Sequence, residues 1–489
     1  MERVTRAIKV HLSQQEFNDY LSFIKRVIEE NYRGRIRYSL DAFHGSNPCV
    51  VIGLIVNRAS IEIQVVANST PWYSLTYDPY LTPRSLVDLI ERLLENATYL
   101  FAETKGKGVL YYVIVPGLDV VPLRSGSVRY KLIHKLLTGN LVFMFAISLA
   151  IYLIAWLLVK HYAPLVILAT QIVLLLLSDR IVALMGDWKL GESSPYVYLI
   201  GLRIPLEVYT QLVKKVLYPK RYEIKRKIYR ELMSKNLLIT PDDVSHLLYE
   251  YGVYVDTSDI VVKRVNLFSV VREVFERYDL PLPKVVLSNI VLPNAAASGV
   301  FLRNTTLLVT SGLLTKLNED EVKAVIAHEA SHLKNRDPLI LNFLIIAEYL
   351  LRVYIFLTFM RYFNVFLEVV YLYVSLTALF FLAKFIEARA DIEATVRLGD
   401  PQPLISALKK IGARRLMKEL TPVDRLSSWL NWNPHPPLSF RIEKLHSLSG
   451  KEVKNLWFEA ISSCLSDFMK TLSSMLRPQA KEHYTVVRS

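Results

Sequence analysis

The hydrophobic pattern of this chain is dominated by a few long stretches nearly free of charge. Residues 141–159 give 19 consecutive positions without a charged side chain, enough helix to cross a bilayer. Lys160, His161 and Tyr162 separate this run from a shorter one, residues 163–178, which carries Thr170 and Gln171. The two read as a transmembrane hairpin, with a buried soluble helix pair as the alternative. A third apolar region, residues 339–386, splits near Arg361 and Tyr362 into two further lengths that predict spans, or segments only partly immersed. Glu348 and Arg352 lie four apart in the first length, on one helix face. Glu368 interrupts the second, and Lys384 stands where it can snorkel. Charges in such segments face a bundle interior or an aqueous cavity.

Outside these stretches the pattern becomes amphipathic. Residues 6–12 and 60–66 alternate like half-buried strands, and 109–115 form a third, more continuous one. Phe17, Leu21, Ile24 and Ile28 recur at helical spacing, and Pro83 opens another helix running through Leu94. Residues 1–120 are thus expected to form a small α+β domain, with His11 and His44 isolated and structural. A transmembrane hairpin is placed at 139–185, a basic helical segment beside the membrane at 186–262, and a larger domain at 263–450 that contains the second hairpin, 338–386. Residues 451–489 are a closing helix and tail. Within the larger domain, the prolines of YDLPLPKVVLSN fix a turn before a strand. Residues 300–302 and 306–310 then read as a hairpin about Arg303 and Asn304. Asn294, Ala295, Ala296 and Ala297 have small side chains in an extended setting, which suits either an edge strand that pairs with a peptide or an ordinary turn.

Composition and charge sharpen this picture. Of 489 residues 52% are hydrophobic, which with the long runs points to membrane segments. The net charge of +14 asks for an anionic partner, and half of it lies in residues 214–235, where nine Lys/Arg face only Glu223 and Glu231, a net of +7. Leu217, Tyr218, Ile224, Ile228 and Leu232 interleave with these charges, which suits a helix on an anionic membrane surface or a solvated basic helix. No nucleic-acid module is recognisable, so nucleic acid is not expected as a partner. Arg124, Arg129, Lys131 and Lys135 precede the first apolar run, while the loop between the two runs has only Lys160. Positive flanks stay on the cytoplasmic side, which places both flanking regions there. The beginning, MERVTRAIKVHLSQQEF, has no apolar core of the kind a signal peptide needs. The two cysteines, Cys49 and Cys464, support neither a disulfide framework nor a cysteine metal cluster.

The chemistry is concentrated in residues 317–337, LNEDEVKAVIAHEASHLKNRD. Asn318 and Glu321 make a capping box, followed by Val322, Val325, Ile326 and Leu333 at helical spacing. His328 and His332 leave one face a turn apart, so two neutral ring nitrogens can grip one tetrahedral metal ion. Glu329 sits beside that metal and can take a proton from a water held there. This is the His-Glu-x-x-His signature of zinc peptidases. Downstream, Glu387 and Asp391 lie four apart in KFIEARADIEATVRLGD. Glu387 supplies a third ligand, leaving the fourth position open, and Asp391 can hold the far nitrogen of a ligand histidine.

On LPNAAASG, AHEASHLKNRD, EARAD, GDPQPLISALKKI and HPPLSFRIEKL, in this order, the chain resembles the HtpX-like membrane zinc metallopeptidases, which share a catalytic domain with the CaaX prenyl endopeptidases. The resemblance covers roughly residues 140–185 and 265–446. It implies a multi-pass α-helical membrane protein with a mainly helical gluzincin domain, a small β hairpin with an edge strand, and one catalytic Zn2+ on His328, His332 and Glu387. It also implies Glu329 as general base, substrate pairing along residues 294–297, and His435 and Arg441 near the metal. Ala296 departs from the aromatic usual in the family, and residues 1–120 and much of 187–260 have no recognised counterpart. The expected function is ATP-independent endoproteolysis of misfolded or damaged membrane proteins at the cytoplasmic face of the cell membrane, since no GxxxxGK[ST] nucleotide loop occurs. Partners would be protein or peptide substrates and the lipid bilayer. A CaaX-type prenyl-peptide endopeptidase and a catalytically silent membrane scaffold are the competing readings.

Overall fold

The computed structural model describes residues 1–56, 59–104, 107–119, 150–151, 154–233, 239–359, 365–419, 422–448 and 453–476. These divide into two compact units. The first joins Met1–Gly106 to Leu408–Lys444 and Ser462–Ser489; the second joins Lys107–Ala407 to Leu445–Ile461.

The first unit is built on a five-stranded antiparallel sheet: β1 (Glu2–Ala7), β2 (Ile36–His44), β3 (Asn47–Val56), β4 (Ala59–Val66) and β5 (Trp72–Tyr77), in the order β1-β5-β4-β3-β2. Helices α1 (Phe17–Asn31) and α2 (Arg84–Thr104) cover it. On α1, Tyr20, Leu21, Ile24, Val27 and Ile28 form one buried stripe, the face that period 3.6 predicts. They meet Ile52, Ile61, Ile63 and Leu75 of the sheet and Val87 and Ile90 of α2. The first strand lies earlier than the alternation of residues 6–12 suggests. Beyond Ala7 the chain leaves the ladder, yet the Ile8 and Leu12 N–H groups still donate to Pro71 and Ser69 carbonyls, and both side chains are buried. Burial without a ladder gives the same alternation as a strand.

The second unit begins with β6 (Lys107–Ile114). This is the third strand read from the sequence, but it does not join the N-terminal sheet. It pairs antiparallel with β8 (Val197–Pro205), which pairs with β9 (Ile260–Val265). The basic segment is therefore not simply helical: residues 186–262 supply β7 (Trp188–Leu190), β8 and part of β9 besides helices. The apolar residues of its helices are also spent differently. Leu217, Ile224 and Ile228 are buried, packed in one cluster with Tyr112, Ile114, Ile200, Leu202 and Val244. Three of the five apolar residues of this stripe are thus taken up by the protein's own sheet, whereas Tyr218 is exposed.

Of the first apolar hairpin, residues 141–149, 152 and 153 lie outside the described residues. Its second arm is α3 (Ala163–Leu176), which bends by 60° into α4 (Ser178–Met185). Among the described residues one helical stretch, Val369–Leu398, is long and apolar enough to cross a membrane, or up to two if that bent pair counts as one span.

A second sheet in this unit, in the order β11-β12-β10-β7, carries the site: β10 (Lys284–Ser288) runs parallel to β12 (Thr306–Thr310), and β11 (Ala295–Ser298) pairs antiparallel with β12 at the edge. The hairpin is thus AAAS against TLLVT, and residues 300–302, expected as its first arm, form the turn. Gly299 makes this turn: its φ is +147°, and a Cβ there would sit 2.5 Å from the Asn304 carbonyl oxygen.

Candidate metal and catalytic centre

Two helices frame the centre. After the Asn318 cap, α5 (Glu319–Lys334) begins as a reciprocal capping box: the Glu321 N–H donates to Asn318 Oδ1 and the Asn318 N–H to Glu321 Oε2, each at 2.8 Å. Val322, Ala324, Ile326, Ala327, Ala330 and Leu333 seat it in the core. The longer α6 (Val365–Leu398) continues a largely apolar stretch into a buried polar end that packs beside α5.

The His328 and His332 rings meet edge to face, with their Nε2 atoms 3.2 Å apart. Glu387 of α6 turns one oxygen to each, Oε2 at 3.4 Å from His328 and Oε1 at 3.6 Å from His332. One donor atom from each of the three residues lies within 4.8 Å of the others, so this trio fits a single cation. Each far ring nitrogen faces a carboxylate. His328 Nδ1 lies 2.9 Å from Asp391 Oδ1, and His332 Nδ1 lies 2.7 Å from Asp337 Oδ2. A carboxylate at Nδ1 selects the tautomer whose Nε2 lone pair points inward, which is what a metal ligand requires. Two such lone pairs facing each other call for positive charge between them. Burial disfavours the imidazolium of His328, yet Asp391 and Glu387 outweigh that cost and raise it to about 10. A divalent cation answers the same demand, and two imidazoles with a carboxylate are a donor set suited to zinc.

Glu329, between the two histidines, points elsewhere. Its Oε2 accepts the Ala297 N–H at 3.0 Å. Thr310 N–H donates to the Asn294 carbonyl, so in the alternating antiparallel ladder the backbone groups of Ala295 and Ala297 face away from β12. Among the described residues that is the outer edge of the sheet, and the Ala297 N–H on it already touches the carboxylate. Thr310 fixes where the strand starts, since its hydroxyl takes the Asn294 N–H at 2.8 Å.

Asp337 is the last residue of LNEDEVKAVIAHEASHLKNRD, and its spacing to the ligands carries no metal signal in the sequence. Arg336 adopts φ +55°, in the left-handed region, which ends α5 and turns Asp337 back onto His332. Arg389 of α6, fully buried, donates to the same Asp337 oxygen at 2.5 Å and lies 3.7 Å from Glu393. Glu393 in turn accepts from Ser331 at 2.7 Å and Asn335 at 2.6 Å. The spacing Arg389, Glu393, Arg397 was visible beside Glu387 and Asp391 as a second i, i+4 series in EARADIEATVR, and was the available hint.

His435 and Arg441 belong to the first unit, whereas the three candidate ligands and Glu329 belong to the second. His435 lies in the loop before the helix Leu438–Ser447, its N–H donating to Asn433 Oδ1 at 2.9 Å, and Arg441 is buried within that helix.

Residues 263–449 match the family described as Peptidase family M48. The chain is 45% identical over 75 residues to the Protease HtpX homolog of Thermococcus sibiricus, covering 15% of this chain and 26% of that protein. It is 27% identical over 245 residues to the Protease HtpX homolog of Gemmatimonas aurantiaca, covering 44% and 85% respectively. For that of Chlorobium phaeovibrioides the figures are 28% over 207 residues, 37% and 71%. The solved structure described as Crystal Structure of S. mikatae Ste24p covers 75% of this chain at 15% identity, with a TM-score of 0.29, too low to fix fold or topology. The class follows from the domain and its donor set: residues 263–449 are a metallopeptidase domain of family M48. Within that class the chain is HtpX-like.

Proposed function

We propose that the chain is a membrane-integrated, zinc-dependent endopeptidase that cuts misfolded or damaged membrane proteins without ATP. The observation that carries this reading is the convergence of His328, His332 and Glu387, with Glu329 beside them and an open strand edge 3.0 Å from its carboxylate. The apolar stretch Val369–Leu398 supports a membrane setting, and the basic flanks of the first hairpin support a cytoplasmic site. When bound, zinc would polarise the scissile carbonyl and make water acidic enough to lose a proton near neutral pH.

The chain's own groups do the rest. A substrate segment adds to the free edge of β11, in register with Ala295 and Ala297, which aligns the scissile bond by backbone hydrogen bonds rather than by side-chain identity. The small side chains of residues 295–297 leave room for that approach. Glu329 takes the proton of the attacking water and passes it to the leaving amine. Asp391 keeps the His328 ring turned inward. His435 and Arg441 are assigned to the developing oxyanion on the strength of the HPPLSFR resemblance, as donors not needed for ligation. A CaaX-type endopeptidase remains the second reading, on the shared catalytic motifs.

The test is Glu329→Gln in the detergent-purified protein, with zinc stoichiometry and casein cleavage measured together. The expected result is one zinc per chain with cleavage abolished, whereas His332→Ala or Glu387→Ala lose the metal too. Wild-type cleavage by Glu329→Gln would refute the mechanism.

A further inference from the structure

The Asp337 carboxylate sits where α5 ends, and one of its oxygens does two things. Oδ2 lies 2.7 Å from His332 Nδ1 and accepts from Arg389 Nη2 at 2.5 Å. A guanidinium has no acceptor, so that oxygen is an acceptor towards Arg389, and towards His332 it can only accept as well while the carboxylate is ionised. The His332 proton is thereby placed on Nδ1 and the lone pair on Nε2, the atom facing His328 and Glu387. Arg389 is itself fixed: it is fully buried, held between Asp337 and Glu393 across one helical turn, with the Trp457 ring 5.1 Å away. Glu393 is anchored back to α5 through Ser331 and Asn335. An arginine buried this deeply at the polar end of α6 costs several kcal/mol unless its partners are in place. The closed circuit His332, Asp337, Arg389, Glu393, Ser331 ties α5 to α6 at the level of the metal ligands.

We infer that Asp337, pinned by the buried Arg389, is a positioning residue that sets the tautomer and ring orientation of His332 for the metal. The inference rests on the zinc reading of the His328, His332 and Glu387 trio. His328 and His332 are then oriented by different carboxylates from different elements, Asp391 on α6 and Asp337 at the turn after α5. Arg389 holds the second.

The experiment is a chelator-competition titration of zinc into metal-free protein, with melting of that metal-free protein recorded in parallel. Wild type, Asp337→Ala, Asp337→Asn, Arg389→Met and the double variant Asp337→Ala with Arg389→Met are compared. Asp337→Ala is expected to weaken zinc binding roughly 10- to 100-fold, the usual cost of losing a carboxylate behind a ligand histidine. Asp337→Asn, nearly the same shape without the charge, should lose affinity as well, and the metal-free protein should melt below wild type because the buried Arg389 loses its ionic partner. Arg389→Met should weaken binding in the wild-type background and add no more than about twofold to Asp337→Ala, because both act through one route. Unchanged affinity in Asp337→Ala, or fully additive losses in the double variant, would overturn the inference. If Arg389→Met does not fold, the two Asp337 variants decide alone. Wild-type protein that takes up no zinc would instead overturn the metal reading beneath it, a result that these variants cannot mimic.

Discussion

Gly312 offers the sharpest test of how the fold places the edge strand. It lies in the helix Ser311–Lys316, directly after β12. There Gly312→Ala is, by helix propensity alone, a stabilising change of about 1 kcal/mol. The tertiary surroundings say the opposite. A Cβ at this position would stand 1.9 Å from the Val291 carbonyl oxygen, 2.4 Å from the Val291 carbonyl carbon and 2.9 Å from that of Leu292. All three atoms are backbone, so no rotamer change relieves the clash, and the loop before β11 has to move by about 1 Å or more. Overpacking of this kind costs roughly 1–3 kcal/mol, which outweighs the propensity gain. The displaced loop leads within a few residues to Asn294, whose N–H Thr310 holds, and then to Ala297, whose N–H meets Glu329. A shift of about 1 Å at a substrate-aligning strand is worth on the order of a hundredfold in rate. Gly312→Ala should therefore lower the melting point, reduce kcat/KM for casein by about that factor, and leave zinc stoichiometry at wild-type level, since His328, His332 and Glu387 lie on other elements. Thermal melting, metal analysis and steady-state kinetics on one preparation suffice. A variant more stable than wild type with unchanged kcat/KM would refute the reasoning, because it would mean that the 291–292 loop yields without moving the strand.

Two further outcomes are expected. His435→Ala and Arg441→Ala should each lower kcat by on the order of a hundredfold while zinc content and KM change little, as befits donors that act mainly in the transition state; zinc loss in His435→Ala would make it a ligand, and unchanged kcat in both would make them scaffold. Reporter tags at residues 120 and 260 and after residue 489 should report the cytoplasmic side, with a tag at His161 on the opposite side, and an external tag at residue 260 would contradict the first hairpin.

The sequence by itself determined the parts of this protein that are local. A helix repeats every 3.6 residues, so HEASH places two imidazoles on one face and EARAD two carboxylates on another, with no need to know what lies between them. The Asn318 and Glu321 cap is equally local, and α5 starts where it says. The stripe of Phe17, Leu21, Ile24 and Ile28 likewise predicted which face of α1 turns to the core. Tertiary structure decided everything that depended on a distant partner. An apolar stripe looks the same whether a bilayer or a β-sheet receives it, so Leu217, Ile224 and Ile228 could be assigned only once β6 and β8 stood against them. A continuous strand such as β6 carries no label for its sheet, and it joined residues about ninety positions away. Asp337 became a partner of His332 only because Arg336 takes a left-handed conformation and Arg389, fifty-two residues on, waits in the core to hold it. Backbone periodicity is written into each segment, whereas the partner that makes a buried charge or an apolar face tolerable is chosen by the folded chain as a whole.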